Sequence, residues 1–247
     1  MTPAIWGILN VTPDSFSDGG LYLEPEHATY RARQLLSDGA SVIDVGAESS
    51  RPGAERVSME EELRRLRPVV DALVAESIPV SVDTMRAEVA AEMVGVGAQI
   101  VNDISGGLAD PEMFGTVAAL DCTYVVMHWR GHSATMDEQA HYDEVAEDVA
   151  EELADRIDAA GGAGIAPERL MLDPGFGFAK DVDHNWKLMQ RLDQIVSLGL
   201  PVLVGVSRKR FTGAVLGRDH GPADRDGVSA VLSVLAAQAG VGGRARA

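Results

Sequence analysis

Three short apolar runs in this chain end in groups suited to gripping a nitrogen-rich ring. Val80-Ser81-Val82 stops at Asp83, Ile100-Val101 at Asn102 and Leu170-Met171-Leu172 at Asp173. An ionised Asp accepts two parallel N–H bonds, and Asn offers both a donor and an acceptor. That is the inventory a flat heterocycle with N–H groups and ring nitrogens requires. A buried carboxylate is costly unless a donor from protein or ligand meets it. One such Asp would read as the cap of a following helix; two Asp and an Asn, at three separate run ends, read as one cup.

Four other runs also stop at polar clusters. Ile5–Val11 leads into Asn10, Asp14 and Asp18, within the turn-rich Asn10–Gly20 segment that also holds Phe16. Its oxygens suit a hard cation, and its double glycine lets a loop close over a ligand, although such a segment also serves as a plain turn. Val42–Val45 is followed by Glu48-Ser49-Ser50-Arg51-Pro52-Gly53-Ala54. Arg51 can hold a phosphate or carboxylate through two parallel bonds, or form a surface ion pair with Glu48 or Glu55 that is worth little. Tyr124–Met127 is followed by His128 and Arg130, and Val202–Val204 by Ser207-Arg208-Lys209-Arg210, the dense basic run of an acidic chain. At the opening of a helix that run would meet an anion or an electron-rich oxygen. In Asp173-Pro174-Gly175-Phe176-Gly177-Phe178-Ala179-Lys180 the Phe residues could stack on a planar ligand.

The elements that must position these groups alternate. Each apolar run precedes a longer amphipathic stretch, as in Leu63, Leu66, Val69, Val70 and Leu73, or Ala146, Val149, Ala150, Leu153 and Ile157, at helical spacing. The runs look apolar on both faces, the pattern of parallel strands covered on both sides. Chemistry at the carboxyl ends of successive strands is how a TIM-type (β/α)8 barrel builds its site. No linker divides the chain, so residues 1–247 are expected to form a single domain. The count of strands stops at seven where a closed barrel needs eight. After a helix predicted over Ala223–Ala239, only the weak strand Gly240–Ala247 remains.

Composition narrows the function. A formal charge of −17 opposes binding to nucleic acid. One cysteine, Cys122, rules out a disulfide within the chain and reads as a small hydrophobe rather than a nucleophile. No run approaches transmembrane length, no basic region precedes the first apolar stretch, and a cytoplasmic protein without membrane partners is expected. His132–His141 reads as an exposed loop, no histidine pair has the spacing of a zinc motif, and the Walker and Rossmann glycine motifs are absent.

Taken together the segments Gly7–Gly20, Glu48–Ala54, Ser81-Val82-Asp83-Thr84, Asn102–Gly107, Met127-His128, Asp173–Lys180 and Ser207-Arg208-Lys209 resemble dihydropteroate synthase, from about Ile5 to about Ala239. The resemblance implies a transferase of folate biosynthesis, the sulfonamide target. It would join 6-hydroxymethyl-7,8-dihydropterin pyrophosphate to 4-aminobenzoate and release pyrophosphate. It also implies that Asp83, Asn102, Asp173 and Lys209 hold the pterin, with Met127 and Phe178 lining the pocket. Asn10 would bind Mg2+. Asp18, Phe16, Arg51 and Pro52 would fold over to the aminobenzoate side, with Ser50, Ser207 and Arg208 also at the substrates.

Two positions depart from the family pattern. Ala47 stands where glycine is frequent. Gly243-Arg244-Ala245-Arg246 stands where an Arg-x-His pair would grip pyrophosphate, so Arg244 or Arg246 could replace only part of that grip. The expectation is therefore a truncated or altered C-terminus, a barrel seam without a normal eighth strand and helix, and exposed strand edges. The homodimer that the resemblance implies through the last helices is then in question. Two other readings carry different chemistry: a pterin-binding homologue with weak or no synthase activity, and a folate-dependent methyltransferase barrel. The Thr12–Gly20 loop and Ser207-Arg208-Lys209 favour the synthase.

Overall fold

The computed structural model describes residues 3–12, 25–48, 56–217, 221 and 223–242. Strand and helix alternate through them. β1 (Trp6–Asn10) leads to α1 (Pro25–Ser37), β2 (Val42–Gly46) to α2 (Met59–Ala75), and β3 (Val80–Asp83) to α3 (Ala87–Val96). β4 (Ile100–Asp103) leads to the short α4 (Met113–Ala118), β5 (Thr123–Met127) to α5 (Val145–Gly162), and β6 (Leu170–Asp173) to α6 (Val182–Gln190) and α7 (Leu192–Val196). Three-residue-per-turn helices at Arg210–Val215 and Ala223–Arg225 precede α8 (Asp226–Gln238). The six strands pair in parallel and in chain order. Each helix supplies the crossover that parallel neighbours need.

The helices form where the apolar periodicity predicts them. Ser58 caps α2 by accepting from the Glu61 N–H at 3.2 Å, and Glu60, Glu61 and Glu62 place negative charge at its positive end. Leu66, Val69, Val70 and Leu73 then bury one stripe against β2 and β3. Val149 and Leu153 of α5 do the same against β5 and β6. Cys122 packs as a buried small residue directly before β5, and His132 and His141 are exposed, both as expected. No helix among the described residues is long and apolar enough to cross a membrane.

Side-chain alternation sorts the strands into two faces. Ile43, Val45, Val80, Val82, Val101, Tyr124, Val126, Leu170 and Leu172 point outward and are buried beneath the helices. The inner face is mixed, contrary to the sequence expectation: Ile8, Ile100 and Met127 share it with polar residues. It carries Asp44, Ser81, Asp83 and Asn102, because every second residue of β2, β3 and β4 turns inward. Ile8, on the inner face of β1, is 54% exposed.

The seventh apolar run does not become a strand. Leu172 N donates to Pro201 O at 2.8 Å and Leu203 N to Leu172 O at 2.7 Å, giving a single parallel bridge between Leu172 and Val202. The next rung would need an N–H from residue 174, which is Pro174 and has none. On the far side, Gly242 N reaches Val202 O at 3.4 Å, and a Cβ on Gly242 would stand 3.0 Å from Pro3 Cβ. The chain after α8 thus runs between the seventh run and the start of β1. Residues 243–247, with Arg244 and Arg246, lie outside the described residues.

Asp103 follows Asn102 but belongs to the outer face. It accepts from Ser105 N at 2.8 Å, Ser105 Oγ at 2.6 Å, Gly107 N at 2.8 Å and Tyr124 Oη at 2.5 Å. It fixes the turn after β4 instead of entering the cup. Tyr124→Phe leaves this fully buried carboxyl one donor short and should cost about 1.5–3 kcal/mol. Urea denaturation monitored by circular dichroism would measure the loss; unchanged stability would mean that the bond carries no net weight.

Candidate active site

The register of the sheet brings four inner-face positions into one rung: Asn10, Gly46, Asp83 and Asn102. Gly46 has no side chain, and the space above it is shared by its neighbours. A Cβ there would lie 3.4 Å from Asn10 Oδ1 and 3.5 Å from Asp83 Oδ2. One rung lower are Ile8, Asp44, Ser81 and Ile100. Asp44 Oδ2 accepts from Asn102 Nδ2 at 3.1 Å, which fixes the amide with its oxygen turned away from Asp44. Asp44 Oδ1 and Ser81 Oγ are buried without a hydrogen-bond partner among the described residues.

Negative charge crowds this interior. Burial pushes the Asp83 carboxyl well above its ordinary range, and Asp44, Glu62, Asp103 and Glu48 push the same way. Burial also raises Asp44, against the pull of the Asn102 amide. No protein donor meets the Asp83 carboxylate among the described residues. It is an acceptor waiting for a donor from outside the protein.

β6 supplies the other wall. Met127 of β5 pairs in register with Asp173, and both are buried. Asp173 Oδ1 accepts from Gly175 N at 2.7 Å, which bends the chain sharply after the strand. Burial raises the Asp173 carboxyl, while Lys209, the Gly175 N–H and Lys180 hold it back. Lys209 reaches in from the segment after the seventh run. Its Nζ donates to Phe176 O and lies 4.1 Å from the centre of the Phe178 ring. Burial pulls Lys209 down to about 8, against the charges of Asp173 and Asp83, so one ammonium feels both strand-end acids. Gly177, at φ +75°, makes room: a Cβ there would fall 2.7 Å from Lys209 Cδ.

Asp83, Asn102, Asp173, Lys209, Met127, Phe178 and Asn10 are therefore gathered at the carboxyl-end side of the strands. Other expectations need correction. Phe176 is fully buried and stacks on Phe211 at 6.0 Å, so only Phe178 is left to face a ligand. His128 is buried against Lys180 and Glu152 and is not a cup residue. The basic run opens no regular helix, only the six-residue Arg210–Val215 turn. Arg208 donates to Asp226 at 2.6 and 2.8 Å, and Arg210 pairs with Asp137 at 3.3 Å, while Ser207 is exposed. Phe16, Asp18, Ser50, Arg51 and Pro52 lie outside the described residues.

Sequence reasoning missed Asp44, hidden as the one acid of an apolar run, and the ion network behind Asp83. Glu62, 1% exposed on α2, accepts from Thr84 Oγ1 at 2.6 Å and pairs with Arg86. Arg86 also donates to Glu48 at 2.6 Å and to Val57 O at 2.6 Å, and Arg56 meets Glu48 at 2.8 Å. The signal was a triplet of acids at a helix start, which reads first as dipole compensation.

No group of three or more His, Cys, Asp or Glu among the described residues is arranged to hold a metal. The Asn10 amide oxygen beside the Asp83 carboxylate is still a hard-oxygen pair. That suits Mg2+, which keeps several waters and takes its remaining ligands from substrate phosphates.

A parallel barrel sheet with a buried acid–amide–lysine cup at its carboxyl edge defines a class, and the sequence comparison agrees: residues 6–243 match the pterin binding enzyme family, and the chain belongs to it. Its relatives include the dihydropteroate synthase of Mycobacterium leprae, 46% identical over 242 residues, covering 96% of this chain and 85% of the relative. The dihydropteroate synthase of Streptococcus pyogenes serotype M3 is 45% identical over 234 residues, covering 94% and 85%. Among solved structures, the Yersinia pestis dihydropteroate synthase in a sulfonamide drug complex superposes with a TM-score of 0.92 at 41% identity, covering 97% of this chain and 86% of that one. The Xanthomonas albilineans enzyme in complex with 7,8-dihydropteroate gives 0.82 at 40% identity, covering 97% and 85%. The fold is of the TIM-barrel type, with six parallel strands paired among the described residues.

The crowding of acids predicts a stability cost. Because the Asp83 carboxyl is raised in the folded state, its contribution falls as pH rises above the unfolded value of about 3.9. Asp83→Asn should raise stability near neutral pH by about 1 kcal/mol, or roughly 2–4 °C in Tm, with the gain disappearing in acid. Calorimetric melting across pH tests this; a destabilised Asn variant would reveal a protein partner for the carboxylate.

Proposed function

We propose that this chain is a dihydropteroate synthase. It joins 6-hydroxymethyl-7,8-dihydropterin pyrophosphate to 4-aminobenzoate, giving 7,8-dihydropteroate and pyrophosphate. The observation that carries the reading is the pair of strand-end carboxylates, half-buried Asp83 and buried Asp173, facing one lysine, Lys209, in a chain of this family. An aminopyrimidine edge offers paired N–H donors, which a carboxylate accepts side by side. Lys209 donates to a ring oxygen or nitrogen, and Asn102, oriented by Asp44, completes the recognition. Met127 and Phe178 close the pocket around the ring plane.

The reaction proceeds by departure before attack. The bond between the methylene carbon and the pyrophosphate oxygen breaks, and both electrons leave with pyrophosphate. Positive charge develops on the methylene and spreads into the pterin ring. Asp83 and Asp173 are fixed in place before the reaction and stabilise that charge without reorganising. The amine lone pair of 4-aminobenzoate then forms the C–N bond, and the nitrogen loses a proton. No protein nucleophile is needed. Mg2+ held at Asn10 would neutralise charge on the departing pyrophosphate. Phe16, Asp18, Ser50, Arg51, Pro52 and Ser207 we assign to the aminobenzoate side. Arg208, held by Asp226, we assign to the rim.

A coupled assay for pyrophosphate release, with and without Mg2+ and 4-aminobenzoate, tests the activity directly. Asp83→Ala should lower turnover at least about 10²-fold, the scale of losing one preorganised electrostatic group; an intact rate would remove Asp83 from the pocket. Lys209 is charged below about 8 and loses its proton above. The kcat/KM for the pterin substrate should therefore decline as pH rises past that value, and Lys209→Met should be slow with no such decline.

A further inference from the structure

Behind the cup lies a second lysine that the reaction scheme does not use. Lys180 is 7% exposed, and its ammonium meets three acceptors: His128 Nδ1 at 2.9 Å, Gly175 O at 3.2 Å and Phe178 O at 3.2 Å. An ammonium has three protons to donate, so all are engaged. The contact also sets the histidine tautomer. Nδ1 accepts, so the ring proton sits on Nε2, which lies 3.0 Å from Glu152 Oε2 on α5, out of line with a well-formed hydrogen bond. Burial, with Lys180 and Arg130 beside it and Glu152 opposing, lowers His128 to about 4, which keeps the imidazole a neutral acceptor.

The turn that Lys180 fastens is strained. Gly175, Gly177 and Ala179 have φ of +69°, +75° and +47°, and Ala179 takes that conformation with a side chain. A Cβ at Gly175 would fall 2.4 Å from His128 O, so the turn presses directly on the end of β5. Tyr142 donates to Ala179 O at 3.0 Å, and the Arg130 guanidinium covers the Tyr142 ring at 3.8 Å while bonding to Glu152. This turn starts at Asp173 and carries Phe178, the acid and the aromatic wall of the cup.

We propose that Lys180 is a positioning residue for ring recognition: from behind the turn it ties the Gly175 and Phe178 carbonyls together and sets a second positive charge beside Asp173. The inference rests on the pterin-binding reading above. The charged and titratable groups around it are Asp173 of β6, Lys209, His128 and Arg130 after β5, Tyr142, and Glu152 of α5. Burial lowers Lys180 to about 7, opposed by Asp173, so its charge is present below that value and fades above it.

Calorimetric titration with 6-hydroxymethyl-7,8-dihydropterin, at about pH 6 and about pH 8.5, compares the wild type with Lys180→Met. The variant should bind at least about tenfold more weakly at the lower pH, the equivalent of one pKa unit. The gap should narrow to under about threefold at the higher pH, where wild-type Lys180 has itself lost its charge. The KM for 4-aminobenzoate should stay within about twofold, since Lys180 acts on the ring side alone. An equal loss at both pH values, or none, would overturn the proposal. Should Lys180→Met not fold, 15N NMR of the wild-type protein decides: His128 must hold its proton on Nε2 alone at about pH 6. A doubly protonated ring, or a proton on Nδ1, refutes the arrangement. A wild type that binds no dihydropterin at either pH sinks the pterin reading, and this inference with it.

Discussion

Uncompensated negative charge inside a sheet is the constraint around which this molecule is arranged. Asp44, Asp83 and Asp173 share one interior, and burial disfavours the ionised form of each. Two lysines, one amide and a backbone N–H are what the described residues set against them. The shell of apolar helix–strand contacts keeps the strands in register, so the charges cannot spread apart to relieve the strain. That confinement is what hydrogen bonds from a donor-rich ring would relieve. Stability given up in this way is a common feature of sites preorganised for chemistry.

The support around the cup is electrostatic on two sides. Next to β3, Arg86 joins Glu62 of α2 to Glu48 and to the Val57 carbonyl, on either side of residues 49–55. Next to β6, Lys180, His128 and Glu152 join the turn to α5. Both networks pair every buried cation with acceptors, which buried charges require if they are not to unfold their surroundings. Neither network is built from strand-end residues alone. Each borrows a carboxylate from a helix, Glu62 or Glu152, and so ties the cup to the outer layer.

What the sequence made legible follows from position. Asp83, Asn102 and Asp173 terminate apolar runs, and a strand end facing a common cavity is readable from spacing. Asp44 was hidden because a single acid within an apolar run gives no boundary; only the pairing of Asp44 with Ser81 across strands shows that both face inward. Phe176 and Phe178 are alike in composition, and which one enters the core depends on Phe211, far along the chain. His128 looked like a site residue for the same reason: its distance from Lys180 is a tertiary fact. The seventh run had the composition of a strand, yet pairing depends on the neighbour's N–H groups as well as on its own side chains.

That last point reaches beyond topology. With Pro174 ending the ladder, the stretch from Leu203 to Lys209 leaves the sheet after a single bridge and is held mainly by other ties: Arg208 to Asp226, the Arg208 N–H to Ser229 Oγ, and Lys209 to Phe176 O. Side-chain contacts, rather than ladder bonds, therefore set its resistance to local opening. A ligand in the cavity meets a wall placed from outside the sheet. Replacements in α8, at Asp226 or Ser229, can therefore shift that wall without altering one atom that the ligand touches.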